Sequence, residues 1–526
     1  MGVSMEANFR KAVIVGLIMV FCGAIWSVSA ENHITVYGNV NNIQISPLIY
    51  GNNLIAYDPS SYENNRVQDS GVYSNYGSGI WNPSCNSAVK ECVELANNAG
   101  ITVLRFPGGC GTHHYDWKAA RGKNRTQFKF GLSEYLSICE QINAKAIITV
   151  SYYSSNENDA ADLVEYLNLR TCEDRPNDGW SNIRLVDGHK EPYNVKYFEI
   201  GNEEWHGDHK KIKHVSPKEY ANRYLKYYDS MKSKDSSIKI GVILGKPEWN
   251  KEVMDIVRDK VDYGILHMYP SPKVSDQDLK SMGSNNIYYE TLGMVITRYE
   301  VGIKNASLLL NEKAGKIVPL AVTEYNAGIK INEPTKYRYC LGTALLNAEL
   351  LKIFMKPENS VFMAAYWQYC NSYWGMVSNG FNGKSADLDN KYYKRPNYYV
   401  YEMYNKHFGN IYLNTYVEAD SYKYDNINIP YLSVNASTDS NGKKLYIMVI
   451  NKNLENAINA DILIKEFIPG GVANAWVLNG PNVDATNEEY NNVKVIHRRY
   501  KIDRNTFCFT FEPHSLTAIE IERARN

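Results

Sequence analysis

Several signals are missing from this 526-residue chain. It has no excess charge of either sign: 57 Lys and Arg balance 57 Asp and Glu. A polyanionic partner is therefore not implied. No basic run carries interleaved aromatics, so nothing points to nucleic acid. There is no Cys-x-x-Cys and no Cys/His ligand spacing, so the sequence indicates no zinc site and no cofactor. The N-terminal apolar run, Ala12 to Trp26, is short for a membrane span.

That run has a different reading. Arg10 and Lys11 precede it, and Val28-Ser29-Ala30 closes on small residues. This is the layout of a secretory signal, with cleavage expected after Ala30 and a secreted or periplasmic product. Of the nine cysteines, Cys22 falls in this leader. The others are Cys85, Cys92, Cys110, Cys139, Cys172, Cys340, Cys370 and Cys508. An even number in an exported chain permits disulfides without giving their connectivity.

What is present centres on one stretch, Val195-Lys-Tyr-Phe-Glu-Ile-Gly-Asn-Glu-Glu-Trp205. Tyr197, Phe198 and Ile200 read as a strand that opens abruptly into Asn202, Glu203 and Glu204. A second strand, around Pro319 to Val322, opens in the same way into Thr323-Glu-Tyr325. The two glutamates are too distant in sequence for a local motif. A closed barrel brings such strand ends to one rim. Two carboxylates across a cleft are the equipment of glycosidic bond cleavage.

Strand and helix patterns alternate around these two. Strands are expected at Ser46–Leu54, 101–109, 145–152, 195–200, 238–244, 263–269, 317–322 and 361–368, with helices between them, including one long helical region at 287–314. Eight such units predict an α/β fold, a (β/α)8 barrel. Residues 56–85 read as a long loop on the active-site face. After Gly409 short alternating segments separated by Asn, Gly and Pro predict a C-terminal antiparallel β-sandwich. The expected organisation is a signal peptide (1–30), a strand joining the sandwich (31–45), the catalytic barrel (46–409) and the sandwich (410–526).

These motifs resemble clan A glycoside hydrolases, and among them most the family 51 α-L-arabinofuranosidases. The resemblance rests on Gly201-Asn202-Glu203, on Thr323-Glu324-Tyr325 in the right order, and on Arg105-Phe-Pro-Gly-Gly109. It implies retention through a covalent intermediate, with Glu203 as acid/base and Glu324 as nucleophile. Asn202 would bind the sugar 2-hydroxyl, and Arg105 would pin the nucleophile. His267 and Tyr269, on one face of the sixth strand, would line the pocket, and Gln368 would contact sugar. Trp117 is a candidate subsite wall and Asn52 a candidate contact from the first strand. Glu203 must be partly neutral to act as an acid, and the charge on Glu324 is expected to push it that way.

One departure bears on substrate. Gly51-Asn52-Asn53-Leu54 lacks the acid that family 51 carries after this glycine, and is instead similar to family 44 endoglucanases. An endo-β-glucanase or xylanase of the same clan is the alternative, and a non-catalytic glycan-binding protein the alternative from another class. No Gly-rich loop follows the seventh or eighth strand, which disfavours a phosphate-binding barrel enzyme. The expected partner is an oligosaccharide or polysaccharide.

Overall fold

The computed structural model describes residues 32–39, 43–57, 77, 79–82, 84–123, 125, 127–171, 179–207, 213–329, 338–370, 374–378, 392–488, 490–502 and 504–525. Residues 1–30, expected to be a signal peptide, residues 58–76 of the expected loop and Cys172 lie outside them. Cys85, Cys92, Cys139, Cys340, Cys370 and Cys508 are free thiols.

Eight parallel strands close into a barrel in chain order. They are Gly51–Asn53, Val103–Phe106, Lys145–Val150, Tyr197–Ile200, Lys239–Ile243, Tyr263–Met268, Leu320–Tyr325 and Val361–Tyr366. The eighth pairs with both the seventh and the first, which completes the ring. The first strand is short and tightly held. A Cβ on Gly51 would lie 2.4 Å from the Ala364 carbonyl and from Val103 Cγ1, so only glycine fits between its two neighbours. Inside the barrel, Tyr197, Tyr263 and Phe362 from the fourth, sixth and eighth strands meet ring to ring. Alternate strands supplying one interior layer is how such a barrel fills its core.

The helices start and stop where local chemistry directs. Ser216 accepts from the Glu219 amide and opens Pro217–Lys234 with proline in the first turn. Asn156 likewise caps Glu157–Asn168 through two amides. Left-handed Gly100 ends Lys90–Ala99. Leu341–Met355 is buried on nearly every face. It lies between the barrel and the strands Leu432–Thr438, Lys444–Asn451 and Ser515–Arg523 of the second domain, which explains a sequence apolar all round.

The C-terminal region holds a six-stranded and a four-stranded sheet around a shared core that includes Ile34, Val36, Ile447, Val449, Ile462, Phe509 and Ile519. The strand Asn32–Tyr37 joins the smaller sheet, as expected, but runs parallel to Ile458–Lys465. The sandwich is therefore not wholly antiparallel. A strand arriving from the far end of the chain has no hairpin to dictate its direction.

Other differences are local. The helical region at 287–314 is Ser284–Met294 and Glu300–Ala314, joined by a π-helical turn at Val295–Tyr299. The apolar pattern continues through that turn, and hydrophobic period does not register a local widening of the helix. The helical period of Asn86 to Ala99 in the sequence predicts a helix from Asn86, but the helix begins at Lys90, because Ser87–Ala88 pairs with Trp81–Asn82. The strand Lys494–Lys501 gave no sequence signal: it is an exposed, basic sheet edge, so nothing along it alternates.

Candidate active site

The fourth strand ends at Ile200, and the chain leaves it through Gly201 at φ +86°. A Cβ there would meet both carboxyl oxygens of Glu204 at 2.3 Å, so glycine is required. Glu203 is itself left-handed, at φ +56°, an uncommon conformation for a residue with a Cβ. Its carbonyl accepts from the amides of His206 and Gly207 at 2.9 and 3.1 Å. This turn folds His206 back over Glu203, so that His206 Nε2 lies 2.6 Å from Glu203 Oε2. From the sixth strand His267 Nδ1 reaches Glu203 Oε1 at 2.8 Å.

Glu324 arrives from the seventh strand across a register shift between Val322 and Glu324. An irregularity of this kind re-aims side chains. Both Thr323 and Glu324 turn to the site: Thr323 Oγ1 lies 3.2 Å from His267 Nε2. Glu324 receives Arg105 on Oε1 at 2.8 Å and the Tyr269 hydroxyl on Oε2 at 2.6 Å. One carboxylate oxygen each of Glu203 and Glu324, with a His267 nitrogen, all lie within 4.8 Å of one another. His267 Nδ1 also stands 3.6 Å from Glu324 Oε2, so one imidazole lies between the two carboxyls.

Arg105 is the hub beneath them. Fully buried, it donates to Glu199, Glu324, Asn53 and Asn202. Burial opposes its charge, but Glu199 and Glu324 raise its pKa further. A buried guanidinium is tolerable only with such full pairing. Asn202 Oδ1 accepts from Arg105, while its Nδ2 is buried with no hydrogen-bond partner among the described residues. An orphaned buried donor beside two carboxylates is a place for a substrate hydroxyl.

The charge state differs from the sequence expectation. Burial pushes the Glu203 carboxyl up, but hydrogen bonds from His206 and His267 outweigh it and hold it well below the carboxylate range. Glu324 was expected to keep Glu203 partly neutral; the two imidazoles reverse this. His206 is correspondingly raised, chiefly by its hydrogen bond to Glu203. His267 is raised too: burial opposes its charge, and Glu324 and Glu203 overcome that.

Glu204, the neighbouring carboxyl, is turned away. It is fully buried, and its Oε1 accepts the Asn202 amide at 2.8 Å. Burial pushes its pKa up to about 8. An unfolded glutamate titrates near ~4.3. As pH rises, the unfolded chain gives up this proton first, so stability is lost between those two values. Glu204→Gln keeps an acceptor for Asn202 and cannot ionise. It is expected to raise the melting temperature at pH 8 but not at pH 4.5, by an amount equivalent to roughly 3–5 kcal/mol. An equal shift at both pH values would rule out ionisation as the cause.

Of the residues singled out from sequence, the structure brings together Glu203, Glu324, Asn202, Arg105, His267 and Tyr269. Gln368 follows the eighth strand across a cis peptide from Trp367, whose indole covers Gly108 and Gly109. Two others need correcting. Trp117 is buried against Tyr166 and Trp180 with its N–H on the Asp159 carbonyl, so it packs the core and does not wall a subsite. Asn52 is fully buried: its Nδ2 faces Met376 Sδ and its Oδ1 accepts the Asn53 amide, so it is not offered to sugar. Sequence reasoning missed His206, Thr323, Glu199 and Asn53. The adjacent Asn53 spends its Nδ2 on the carbonyls of Thr323, Ala365 and Tyr366. Trp374 stands beyond the eighth strand, 6.0 Å from the Tyr269 ring and stacked under Arg338. Period-2 alternation could have placed Glu199 on the inner face with Tyr197; nothing local marked His206.

Known proteins resemble this chain along its length. The sequence profile of the alpha-L-arabinofuranosidase 1 domain matches residues 96–287, and that of the alpha-L-arabinofuranosidase C-terminal domain matches residues 323–515. The crystal structure of an α-L-arabinofuranosidase from Thermotoga maritima, in complex with arabinose, superposes with a TM-score of 0.76 at 25% identity, covering 93% of this chain and all of that one. An intracellular exo-α-L-arabinofuranosidase of Bacteroides ovatus is 23% identical over 72% of this chain and 74% of its own length. An intracellular exo-α-(1→5)-L-arabinofuranosidase of Acetivibrio thermocellus is 28% identical over 36% of this chain, a stretch that spans 40% of that relative. These names overturn the expectation of export drawn from residues 1–30. Relatives from Halalkalibacterium halodurans and Bacillus subtilis are likewise named intracellular.

Proposed function

Given that this chain is a retaining glycoside hydrolase of clan A, most like the family 51 α-L-arabinofuranosidases, we propose that Glu324 is its nucleophile and Glu203 its acid/base. Glu324 attacks the anomeric carbon as Glu203 protonates the departing oxygen. Water then releases the sugar, with Glu203 taking its proton. The observation that carries this reading is the spacing, with oxygens of the two carboxyls within 4.8 Å of each other. Retaining pairs stand about 5–5.5 Å apart, whereas inverting pairs stand about 6.5–9.5 Å apart to admit water.

The supporting residues act through charge and aim. Arg105 and the Tyr269 hydroxyl hold one Glu324 oxygen each, which orients the attacking carboxylate and favours its ionised form. Asn202 Nδ2 donates to the sugar 2-hydroxyl, a contact that strengthens as the oxocarbenium ion develops. Gln368 and Trp374 contact the sugar from the eighth strand's exit. In this reading the barrel at 46–409 carries the chemistry, and 410–526 with 31–45 supports it.

One observation favours a second reading. Asn52 and Asn53, in place of an acid at the first strand, both turn their side chains to protein. A glycone pocket without that carboxylate also fits an endo-β-glucanase or xylanase of the clan. A 2-deoxy-2-fluoro-α-L-arabinofuranosyl donor with a good leaving group tests the proposal. Peptide mapping is expected to find the trapped sugar on Glu324; a label elsewhere would sink the nucleophile assignment. Turnover of xylan or β-glucan, with no trapping by the arabinosyl donor, would select the second reading.

A further inference from the structure

The turn after the fourth strand carries a group that the mechanism above leaves idle. His206 Nε2 stands 2.6 Å from Glu203 Oε2, and the His206 side chain is 28% exposed against 17% for Glu203. It is the more open member of the pair. The other Glu203 oxygen is held by His267, whose side chain is only 7% exposed. One imidazole thus faces the interior and one faces outward, each on its own carboxylate oxygen. The backbone holds His206 there: its amide donates to the Glu203 carbonyl, and its ring meets the Trp205 indole edge-on at 4.6 Å. Across Glu203 lie His267 from the sixth strand, Glu324 from the seventh and Arg105 from the second. Asp208, His209, Lys210 and Lys211 follow in sequence, outside the described residues.

We propose that His206 is the positioning residue of the acid/base, storing the proton that Glu203 delivers and reclaiming the one that Glu203 takes from water. This deepens, and rests on, the assignment of Glu203 above. At rest the pair is imidazolium and carboxylate. The His206 Nε2–H bond breaks and an O–H bond forms on Glu203, leaving both groups neutral. Glu203 passes this proton to the glycosidic oxygen as the bond from the anomeric carbon to that oxygen breaks and the bond to Glu324 forms. In the second half, water adds to the anomeric carbon and the bond to Glu324 breaks. Glu203 takes the water proton and hands it to Nε2, so the imidazolium is restored. Without this store, a carboxyl held ionised by two imidazoles makes a poor acid at neutral pH. With it, the pair keeps one transferable proton until the raised imidazole itself deprotonates.

The test is the pH dependence of kcat/KM in His206→Gln and His206→Asn, read on an arabino-oligosaccharide and on an aryl α-L-arabinofuranoside with an acidic phenol. In wild type the alkaline limb for the oligosaccharide belongs to the pair and lies above the ordinary imidazole pKa of ~6.5. Glutamine can still donate to Glu203 but holds no spare proton. Its alkaline limb is expected to move acidward by at least about one pH unit, with activity on the oligosaccharide at pH 7.5 falling about ten-fold or more, since the last proton then sits on Glu203 alone. Glycosylation by the acidic phenol needs no acid and should not change. Free imidazole is expected to restore part of the lost rate in His206→Ala. A Gln variant that melts like wild type but keeps the wild-type limb, or loses both substrates equally, would overturn the relay. Full oligosaccharide activity in Glu203→Gln would instead remove the underlying assignment.

Discussion

Glu324→Ala is expected to lower turnover of every substrate by at least about 10⁴-fold, the scale of removing a covalent nucleophile. Stability should change little by comparison, because Arg105 retains Glu199, Asn53 and Asn202 as partners. The space left lies beside Arg105 and the Tyr269 hydroxyl, two donors with no carboxylate to bind. Formate or azide should enter it and act as the nucleophile on an activated aryl glycoside. A single displacement then gives a product of inverted configuration, readable by NMR. Activity within ten-fold of wild type, or a rescued product of retained configuration, would move the nucleophile away from Glu324.

Glu203→Ala is expected to separate substrates by leaving group. General acid catalysis is worth about 10²–10⁴-fold, so an alkyl or sugar leaving group should suffer most of that loss. An acidic phenol leaves unaided, and its glycosylation step survives. Deglycosylation slows for every substrate because water is no longer deprotonated. Azide needs no deprotonation, so it should speed turnover of the aryl substrate and yield a glycosyl azide of retained configuration. Equal loss on both leaving groups with no azide effect would shift the acid role elsewhere. Glu204 is a poor candidate for it, being buried behind the turn with Oε1 on the Asn202 amide.

Most of the fold was legible because alternation of strand and helix is a local property. Each strand–helix unit must bury one face, and that requirement is written at fixed spacing. The same holds for the two acidic strand exits, where a buried run meets charge. Local signals failed where an element had no buried face to advertise, as at Lys494–Lys501, or where a neighbour claimed the residues first, as at Ser87–Ala88. Trp117 shows the other limit. An indole serves equally to stack on sugar or to fill a core, and its sequence neighbours do not say which. The packing of Tyr166 and Trp180 around it does.

By itself the sequence determined the barrel, the sandwich behind it, and two glutamates at the exits of the fourth and seventh strands. Burial periodicity and abrupt polarity changes are enough for that. Tertiary structure alone decided how those glutamates are held. Arg105 joins four groups, from the first and seventh strands and from the fourth strand and the turn after it, which closure and register place around one guanidinium. The bulge before Glu324 aims two consecutive residues inward, which strict alternation forbids. A left-handed Glu203 sets His206 on its carboxylate, a contact no regular helix or strand spacing announces. The charge of Glu203 follows from these contacts. A carboxyl's pKa answers to the few groups within hydrogen-bonding reach, and here His267 and His206 come from different parts of the fold.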